Sequence, residues 1–138
     1  MSEDVTTILF ACIHNAGRSQ MAAAFFNALA DPAKARAISA GTEPAGEVHP
    51  EVVDAMREVG IDLTDQTPTK LSWDTAREAD VIVSMGCGDA CPVFPGKRYE
   101  DWDLDDPAGL DVHAVRSIRD DIRLRVQRLI SELATTPG

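Results

Sequence analysis

Short apolar runs of β-forming residues alternate along this chain with segments of helical periodicity, and that alternation limits the folds it can adopt. We predict strands at residues 6–11, 35–39, 80–85 and 97–102. Strand–helix alternation is typical of parallel sheets, because a parallel pair needs a crossover connection that is usually a helix. The chain is therefore predicted to be an α/β protein, with a parallel sheet and helices on both of its faces.

Three segments are predicted to be helices. Residues 18–30 are rich in alanine, a second helix begins at Pro50 and stops at Gly60, and the clearest helix spans about residues 111–134. In the last of these, apolar residues recur every three or four positions, and the arginines between them are interpreted as a solvated face with local ion pairs. No repeat or long linker interrupts the chain, so residues 1–138 are predicted to form a single domain.

Charge and cysteine content exclude several classes of protein. Asp and Glu total 23 against 13 Lys and Arg, a net charge of -10, and such a surface would repel nucleic acid. No apolar run approaches the roughly 20 residues of a membrane span, and the acidic first residues lack the basic start of a signal peptide. Three cysteines argue against a closed disulfide framework. We therefore expect a cytoplasmic protein with free thiols. We also expect it to be a monomer.

The loop after the first strand carries the most specific motif in the chain. It joins a buried strand to the start of a helix, where backbone N–H groups converge and the helix dipole adds positive charge, so it is predicted to hold a tetrahedral oxyanion. A guanidinium at the helix start can hold two oxygens of that anion. The predicted oxyanion-binding residues are Ile13, His14, Asn15, Ala16, Gly17 and Arg18.

Cys12 opens the same loop. Helix-terminal N–H groups and the nearby Arg18 favour its thiolate, which is the reactive form of cysteine, and the hydroxyl of Ser19 can donate a hydrogen bond to the sulfur. The spacing C-x5-R-S thus supplies a nucleophile, an anion clamp and a thiolate stabiliser, and it predicts a catalytic loop. His14 is interpreted as a structural hydrogen bonder and Asn15 as a brace of the loop.

A thiolate that attacks an oxyanion needs a proton donor for the leaving oxygen. Asp106 is the candidate general acid, because it follows the fourth predicted strand and Pro107 disfavours helix at its position. Repulsion from the adjacent Asp105 can keep one of the two carboxyls protonated. The alternative is a simple turn that precedes and caps the long helix.

Cys87 and Cys91 follow the third predicted strand, at the same edge of the sheet as Cys12. A pair of thiols near a reactive thiolate suits thiol–disulfide exchange, and packing is the alternative for this pair. Two thiols without a nearby histidine are only half of a zinc site, so we expect neither a metal nor a cofactor.

Together these motifs resemble a known family. Residues 12–22 resemble the anion-binding loop of the low-molecular-weight protein tyrosine phosphatase fold. With residues 39–41, the pair Cys87 and Cys91, and the run Asp105-Asp106-Pro107-Ala108-Gly109, the chain is similar to the arsenate reductases on that fold, in their three-cysteine, thioredoxin-coupled branch. The resemblance covers nearly the whole chain. It implies a four-stranded parallel sheet and a cytoplasmic role in arsenate detoxification.

The resemblance also implies a role for each matching residue. Cys12 is the nucleophile on arsenate, and Cys87 attacks the Cys12–arsenic adduct at sulfur, which releases arsenite. Cys91 then attacks Cys87, and thioredoxin reduces the resulting Cys87–Cys91 disulfide. Phosphate and sulfate are expected to compete with arsenate. By the same resemblance, Arg18 and the loop amides bind the oxyanion, Ser19 stabilises the thiolate and Asp106 is the general acid.

The chain departs from this family in two respects. Cys87 and Cys91 are closer together than the second and third cysteines of the thioredoxin-coupled members, so a different shape of the redox loop is implied. Some relatives bind potassium beside the loop through two acidic residues. The aligned positions here are Ala23 and Thr69, so no potassium site is implied.

Three other functions stay open. A phosphotyrosine phosphatase would use the same loop, but Ala108 stands where those phosphatases place an aromatic residue, and the cysteine pair would have no role. An arsenate transferase that uses mycothiol or glutathione would need only the first cysteine. A non-enzymatic oxyanion sensor would bind the anion without turnover.

Overall fold

Four parallel strands form one sheet in the order β2-β1-β3-β4. The computed structural model describes residues 5–85, 98–104 and 110–135. This sheet confirms the α/β architecture and the four parallel strands that the resemblance implied. The strands are β1 (Thr6–Cys12), β2 (Ala35–Gly41), β3 (Val81–Ser84) and β4 (Arg98–Asp101).

Four helices connect or follow the strands: α1 (Arg18–Leu29), α2 (Pro50–Arg57), α3 (Trp73–Glu78) and α4 (Val112–Thr135). The predictions of α1, α2 and α4 are confirmed, with ends shifted by up to three residues. Helix α3 was not predicted, because it has six residues and buries only Ala76, which leaves no apolar periodicity to detect. Its one local signal is Ser72, whose hydroxyl accepts a hydrogen bond from the N–H of Thr75 at 3.1 Å.

Strand β1 is buried on both faces and separates two apolar clusters. Ile8 and Phe10 point into the larger cluster, which includes residues of α1, α2 and α4. Leu9 and Ala11 point into a smaller cluster with Ala76 of α3. Because successive side chains of a strand alternate between faces, one apolar run supplies both cores. Helices therefore cover both faces of the sheet, as predicted.

Two ion pairs attach α4 to the end of α2. Arg116 and Arg119 donate to the two carboxylate oxygens of Glu58 at 2.6 and 2.8 Å, and Arg119 is only 8% exposed. The predicted solvated face is therefore wrong for Arg119, whose partner Glu58 directly follows α2 and is 61 residues away in sequence. The hydrogen bonds from Arg116 and then Arg119 lower the pKa of Glu58 to about 2. Arg125 and Asp121 form the predicted kind of local pair, at 3.0 Å.

Across residues 5–85, 98–104 and 110–135, the structure contains no helix with the length and apolarity needed to span a bilayer.

Candidate active site

Residues 12–19 connect the carboxyl end of β1 to the first turn of α1, and we call them the anion loop. The loop lies at the edge of the sheet where ligands bind in open parallel α/β folds. Its side chains are buried apart from those of Ile13 and His14, and His14 is exposed. The anion loop is thus held between the buried strand that precedes it and the helix that follows it.

The carbonyl groups of the anion loop are held on its outer side by residues 42–49. Because the peptide bond is planar and trans, a carbonyl turned outward turns the N–H of the next residue inward. The N–H groups of residues 13, 14, 15 and 17 therefore face the inside of the loop. The four contacts join the N–H groups of Thr42, Glu43, Ala45 and His49 to the carbonyl oxygens of Cys12, Ile13, His14 and Ala16, at 3.1, 2.8, 2.9 and 3.0 Å respectively.

The sulfur of Cys12 lies at the inner side of this ring of amides. Cys12 is a free cysteine with 2% exposure, and its Sγ is 2.9 Å from the hydroxyl oxygen of Ser19, the contact that the motif predicted. The N–H of Asn15 donates to the same Sγ at 3.2 Å. The hydroxyl of Ser19, the main-chain N–H of Asn15 and the first turn of α1 therefore surround the sulfur.

Arg18 is the first residue of α1 and is 7% exposed. Its Nη1 donates to the main-chain oxygen of Leu104 at 3.2 Å, which links the anion loop to the chain directly before Asp105 and Asp106. A guanidinium has five donors in a planar fork, so it can bond several acceptors at once. No acidic residue lies in the first turn of α1 to compensate its positive end.

Asn15 braces the loop, as its residue type predicted. It is fully buried and has a φ of 52°, in the left-handed region where asparagine is one of the few tolerated side chains. Its Nδ2 donates to the hydroxyl of Ser19 at 2.7 Å, and its Oδ1 accepts from the N–H of Thr69 at 2.8 Å. Gln20 Nε2 donates to the same Oδ1 at 3.2 Å.

Two residues of the site were missed by sequence reasoning. Gln20 and Gly41 entered the prediction only as members of the runs 12–22 and 39–41 that carry the family resemblance, and neither was given a role. Gly41 pairs with Cys12 in the sheet and lies so close to the anion loop that a Cβ there would be 2.5 Å from the Ile13 oxygen. No local pattern reveals either contact, although a glycine at the carboxyl end of a strand is a weak signal of close backbone approach.

The described part of the chain leaves three predicted site residues untested, since Cys87, Cys91 and Asp106 lie outside the described residues. Within the described ranges there is no group of three or more His, Cys, Asp or Glu side chains placed to hold a metal ion. The carbonyl oxygen of the Asn15 side chain accepts two N–H donors, from Thr69 and Gln20. Both of its lone pairs are therefore used, and it does not fit a cation such as the potassium of some relatives.

The chain matches known proteins over nearly its whole length. The family of low molecular weight phosphotyrosine protein phosphatases matches residues 7–136. Arsenate reductase 1 of Bacillus cereus is 41% identical over 132 residues, which are 91% of this chain and 95% of that protein. A glutaredoxin arsenate reductase of Synechocystis is 35% identical over 130 residues, 92% of this chain and 98% of that protein.

A solved structure agrees with these matches. The thioredoxin-dependent arsenate reductase of Corynebacterium glutamicum superposes with a TM-score of 0.80 at 38% identity. The superposition covers 94% of this chain and 62% of the other, longer chain.

Proposed function

The chain belongs to the low molecular weight phosphotyrosine protein phosphatase family, and we propose that within this family it reduces arsenate to arsenite. The observation that carries the proposal is the position of Cys12. Its sulfur lies inside a ring of inward-facing amides, with Ser19 at 2.9 Å and Asn15 N–H at 3.2 Å. A nucleophile at the centre of an anion-binding loop is placed to attack the central atom of the anion it holds.

The first proposed step is attack on arsenic by the Cys12 thiolate. An S–As bond forms, the bond from arsenic to one arsenate hydroxyl breaks, and that hydroxyl leaves as water with a proton from Asp106. The loop amides and Arg18 hold the remaining oxygens. Ser19 donates to the sulfur until the bond forms. Arsenic is still in its oxidised state in this adduct, so the reduction itself requires a second thiol.

The second and third steps are a relay of three cysteines. Cys87 attacks the sulfur of Cys12, the S–As bond breaks, and its electron pair stays on arsenic, which leaves as arsenite. The Cys12–Cys87 disulfide is then attacked at Cys87 by Cys91, which frees Cys12 for the next anion. Two thiols become one disulfide and supply the two electrons that arsenic gains.

We propose thioredoxin as the reductant of the Cys87–Cys91 disulfide. The name of the Corynebacterium glutamicum structure supports it, whereas the Synechocystis relative is named for glutaredoxin. A relay that ends on two neighbouring cysteines presents a disulfide, and a dithiol protein can reduce it: its first thiol forms a mixed disulfide and its second thiol resolves it. The proposal places the enzyme in the cytoplasm as a monomer, with residues 1–138 acting as one domain and no cofactor.

Cysteine variants test the relay. With thioredoxin, thioredoxin reductase and NADPH, Cys87→Ser should lose multiple-turnover reduction of arsenate, because no thiol removes Cys12 from arsenic. Cys91→Ser should complete about one turnover per enzyme and stop as a Cys12–Cys87 disulfide with no free thiol. Wild-type rates in Cys87→Ser would refute the relay, and activity restored only by a small thiol would identify a transferase.

Hydrolysis of an aryl phosphate is a second activity that the anion loop supports, because phosphate has the shape and charge of arsenate. Water can resolve a phosphocysteine without any electron transfer, so this activity needs neither Cys87 nor Cys91. We expect slow hydrolysis in wild type and in Cys87→Ser alike, and none in Cys12→Ser. The Cys87→Ser enzyme therefore serves as its own folding control for the reductase assay.

A further inference from the structure

Gln20 is a buried polar residue beside the anion loop to which the proposed mechanism gives no task. It is the third residue of α1 and is 4% exposed. Its Nε2 donates to the main-chain oxygen of Asn15 at 3.1 Å and to the side-chain Oδ1 of Asn15 at 3.2 Å. We propose that Gln20 is a positioning residue for Cys12: it orients Asn15 so that the surrounding hydrogen bonds all donate toward the sulfur. The inference rests on the proposed function and deepens it.

Main-chain groups determine which way the two amide side chains face. An amide can be turned so that either its oxygen or its nitrogen meets a partner. The main-chain oxygen of Asn15 can only accept, so the nitrogen of the Gln20 amide must face it. The main-chain N–H of Thr69 can only donate, so the oxygen of the Asn15 amide must face Thr69. Gln20 Nε2 donates to that same oxygen and reinforces the orientation.

The orientation of Asn15 decides where the hydroxyl hydrogen of Ser19 points. With Oδ1 engaged, the Nδ2 of Asn15 faces the Ser19 oxygen at 2.7 Å and donates to it. The hydroxyl then directs its own hydrogen to Cys12 Sγ, 2.9 Å away. If the Asn15 amide turned over, its oxygen would compete for that hydrogen and the thiolate would lose a donor.

Gln20 also supports the backbone of the anion loop. Asn15 has a positive φ, which costs free energy for any residue with a Cβ and persists only where neighbours hold it. The bond from Gln20 to the Asn15 carbonyl holds that peptide outward, as residues 42–49 hold the neighbouring carbonyls. The N–H of Ala16 is thereby turned toward the inside of the anion loop. Loss of Gln20 should therefore destabilise the Cys12 thiolate and lower the affinity of the loop for an anion.

The test measures the thiolate directly. In the full chain with Cys87→Ser and Cys91→Ser, Cys12 is the sole thiol, and its rate of alkylation by iodoacetamide is followed against pH. Gln20→Glu replaces the donating NH2 by an acceptor of the same size. We expect the midpoint of the titration to rise by about 0.5–1 pH unit, which corresponds to the loss of about one hydrogen bond. Sulfate affinity should fall in parallel.

A matched control separates hydrogen bonding from charge. Gln20 lines a cavity of about 590 Å³ together with Gln66, which is exposed and is not among the hydrogen-bond partners of Asn15, so Gln66→Glu adds a negative charge to the same cavity. The midpoint of the Cys12 titration in Gln66→Glu should equal that of the chain with only Cys87→Ser and Cys91→Ser. Gln20→Met removes the donor without adding charge. If Gln20→Glu does not fold, Gln20→Met tests whether the hydrogen bonds of Gln20 affect the Cys12 titration. We expect Gln20→Met to shift the midpoint upward as well.

Two results would overturn the inference. One is an unchanged midpoint in folded Gln20→Glu and Gln20→Met, which would make Gln20 a packing residue. The other is a shift of the midpoint in Gln66→Glu equal to that in Gln20→Glu, which would show that the added negative charge alone causes it. Neither result involves arsenate, so the inference and the proposed function fail separately: a wild-type enzyme without arsenate turnover refutes the function, whereas an active enzyme with an unchanged midpoint in the Gln20 variants refutes only this role.

Discussion

Replacing Gly41 by alanine should damage the anion loop more than the rest of the fold. A Cβ at residue 41 would lie 2.5 Å from the carbonyl oxygen of Ile13, 2.9 Å from the nitrogen of Asn15 and 3.0 Å from its Cβ. Separations below 3.0 Å are essentially unknown for a Cβ, so the Ile13 carbonyl must move by about 0.5 Å. That carbonyl is hydrogen-bonded to the N–H of Glu43, and the movement strains the loop or breaks this bond.

The magnitude follows from these distances. An added methyl group in a packed site costs about 1–3 kcal/mol of folding free energy, of which the stiffer unfolded chain returns at most about 1 kcal/mol. Misplacement of a catalytic group by about 1 Å can lower a rate about 100-fold. A movement of half that size therefore predicts a loss of about tenfold in kcat/KM for arsenate, with a similar loss of sulfate affinity.

Gly46→Ala is the matched control, because a Cβ at residue 46 meets no atom within 4 Å. Arsenate reduction, sulfate affinity and urea unfolding are measured on both variants. We expect Gly46→Ala to keep wild-type activity and to be equally or slightly more stable. Wild-type sulfate affinity and activity in Gly41→Ala would refute the reasoning, since the loop would then tolerate a contact that the structure excludes.

Three further predictions concern anion binding and charge. Sulfate should raise the thermal midpoint of the wild type, because at 100 times its dissociation constant it adds about 2.7 kcal/mol to the free energy of unfolding. It should have almost no effect on the thermal midpoint of Arg18→Lys, which lacks the bidentate fork. Sodium chloride at equal ionic strength is the control. Glu58→Gln should lower the free energy of unfolding at pH 7, because the folded-state pKa of Glu58 is about 2, below its ordinary 4.5. Urea titrations should show that the difference from wild type persists above pH 4.5 and disappears as pH falls through about 2, and a difference independent of pH would contradict the ion pairs. Raising sodium chloride from about 0.05 to 1 M should increase the urea midpoint, because salt screens the self-repulsion of a chain with a net charge of -10, and a falling midpoint would contradict this.

The strands, the long helices and the catalytic motif could all be predicted from the sequence, because local patterns determine them. The apolar run Ile8-Leu9-Phe10-Ala11 predicted a buried strand, and β1 is buried on both faces. The apolar residues that recur every three or four positions along α4 pack into the larger apolar cluster, as that spacing predicts. The motif C-x5-R-S predicted the contact between Cys12 and Ser19, since both lie within one short loop between a strand and a helix. The roles of Cys87, Cys91 and Asp106 stay predictions of the sequence and of the family resemblance.

Contacts between residues far apart in sequence were decided only by the tertiary structure. Arg119 lies among residues typical of a solvated face, yet it is buried because α4 packs against the end of α2, which Glu58 directly follows. The contacts of Gly41 and Gln20 with the anion loop could not be predicted from local sequence, because the effect of a missing Cβ or of an amide depends on the atoms beside it in the fold. Local sequence determines which backbone a segment prefers, whereas the direction of each hydrogen bond at Cys12 depends on partners such as Thr69, 54 residues from Asn15.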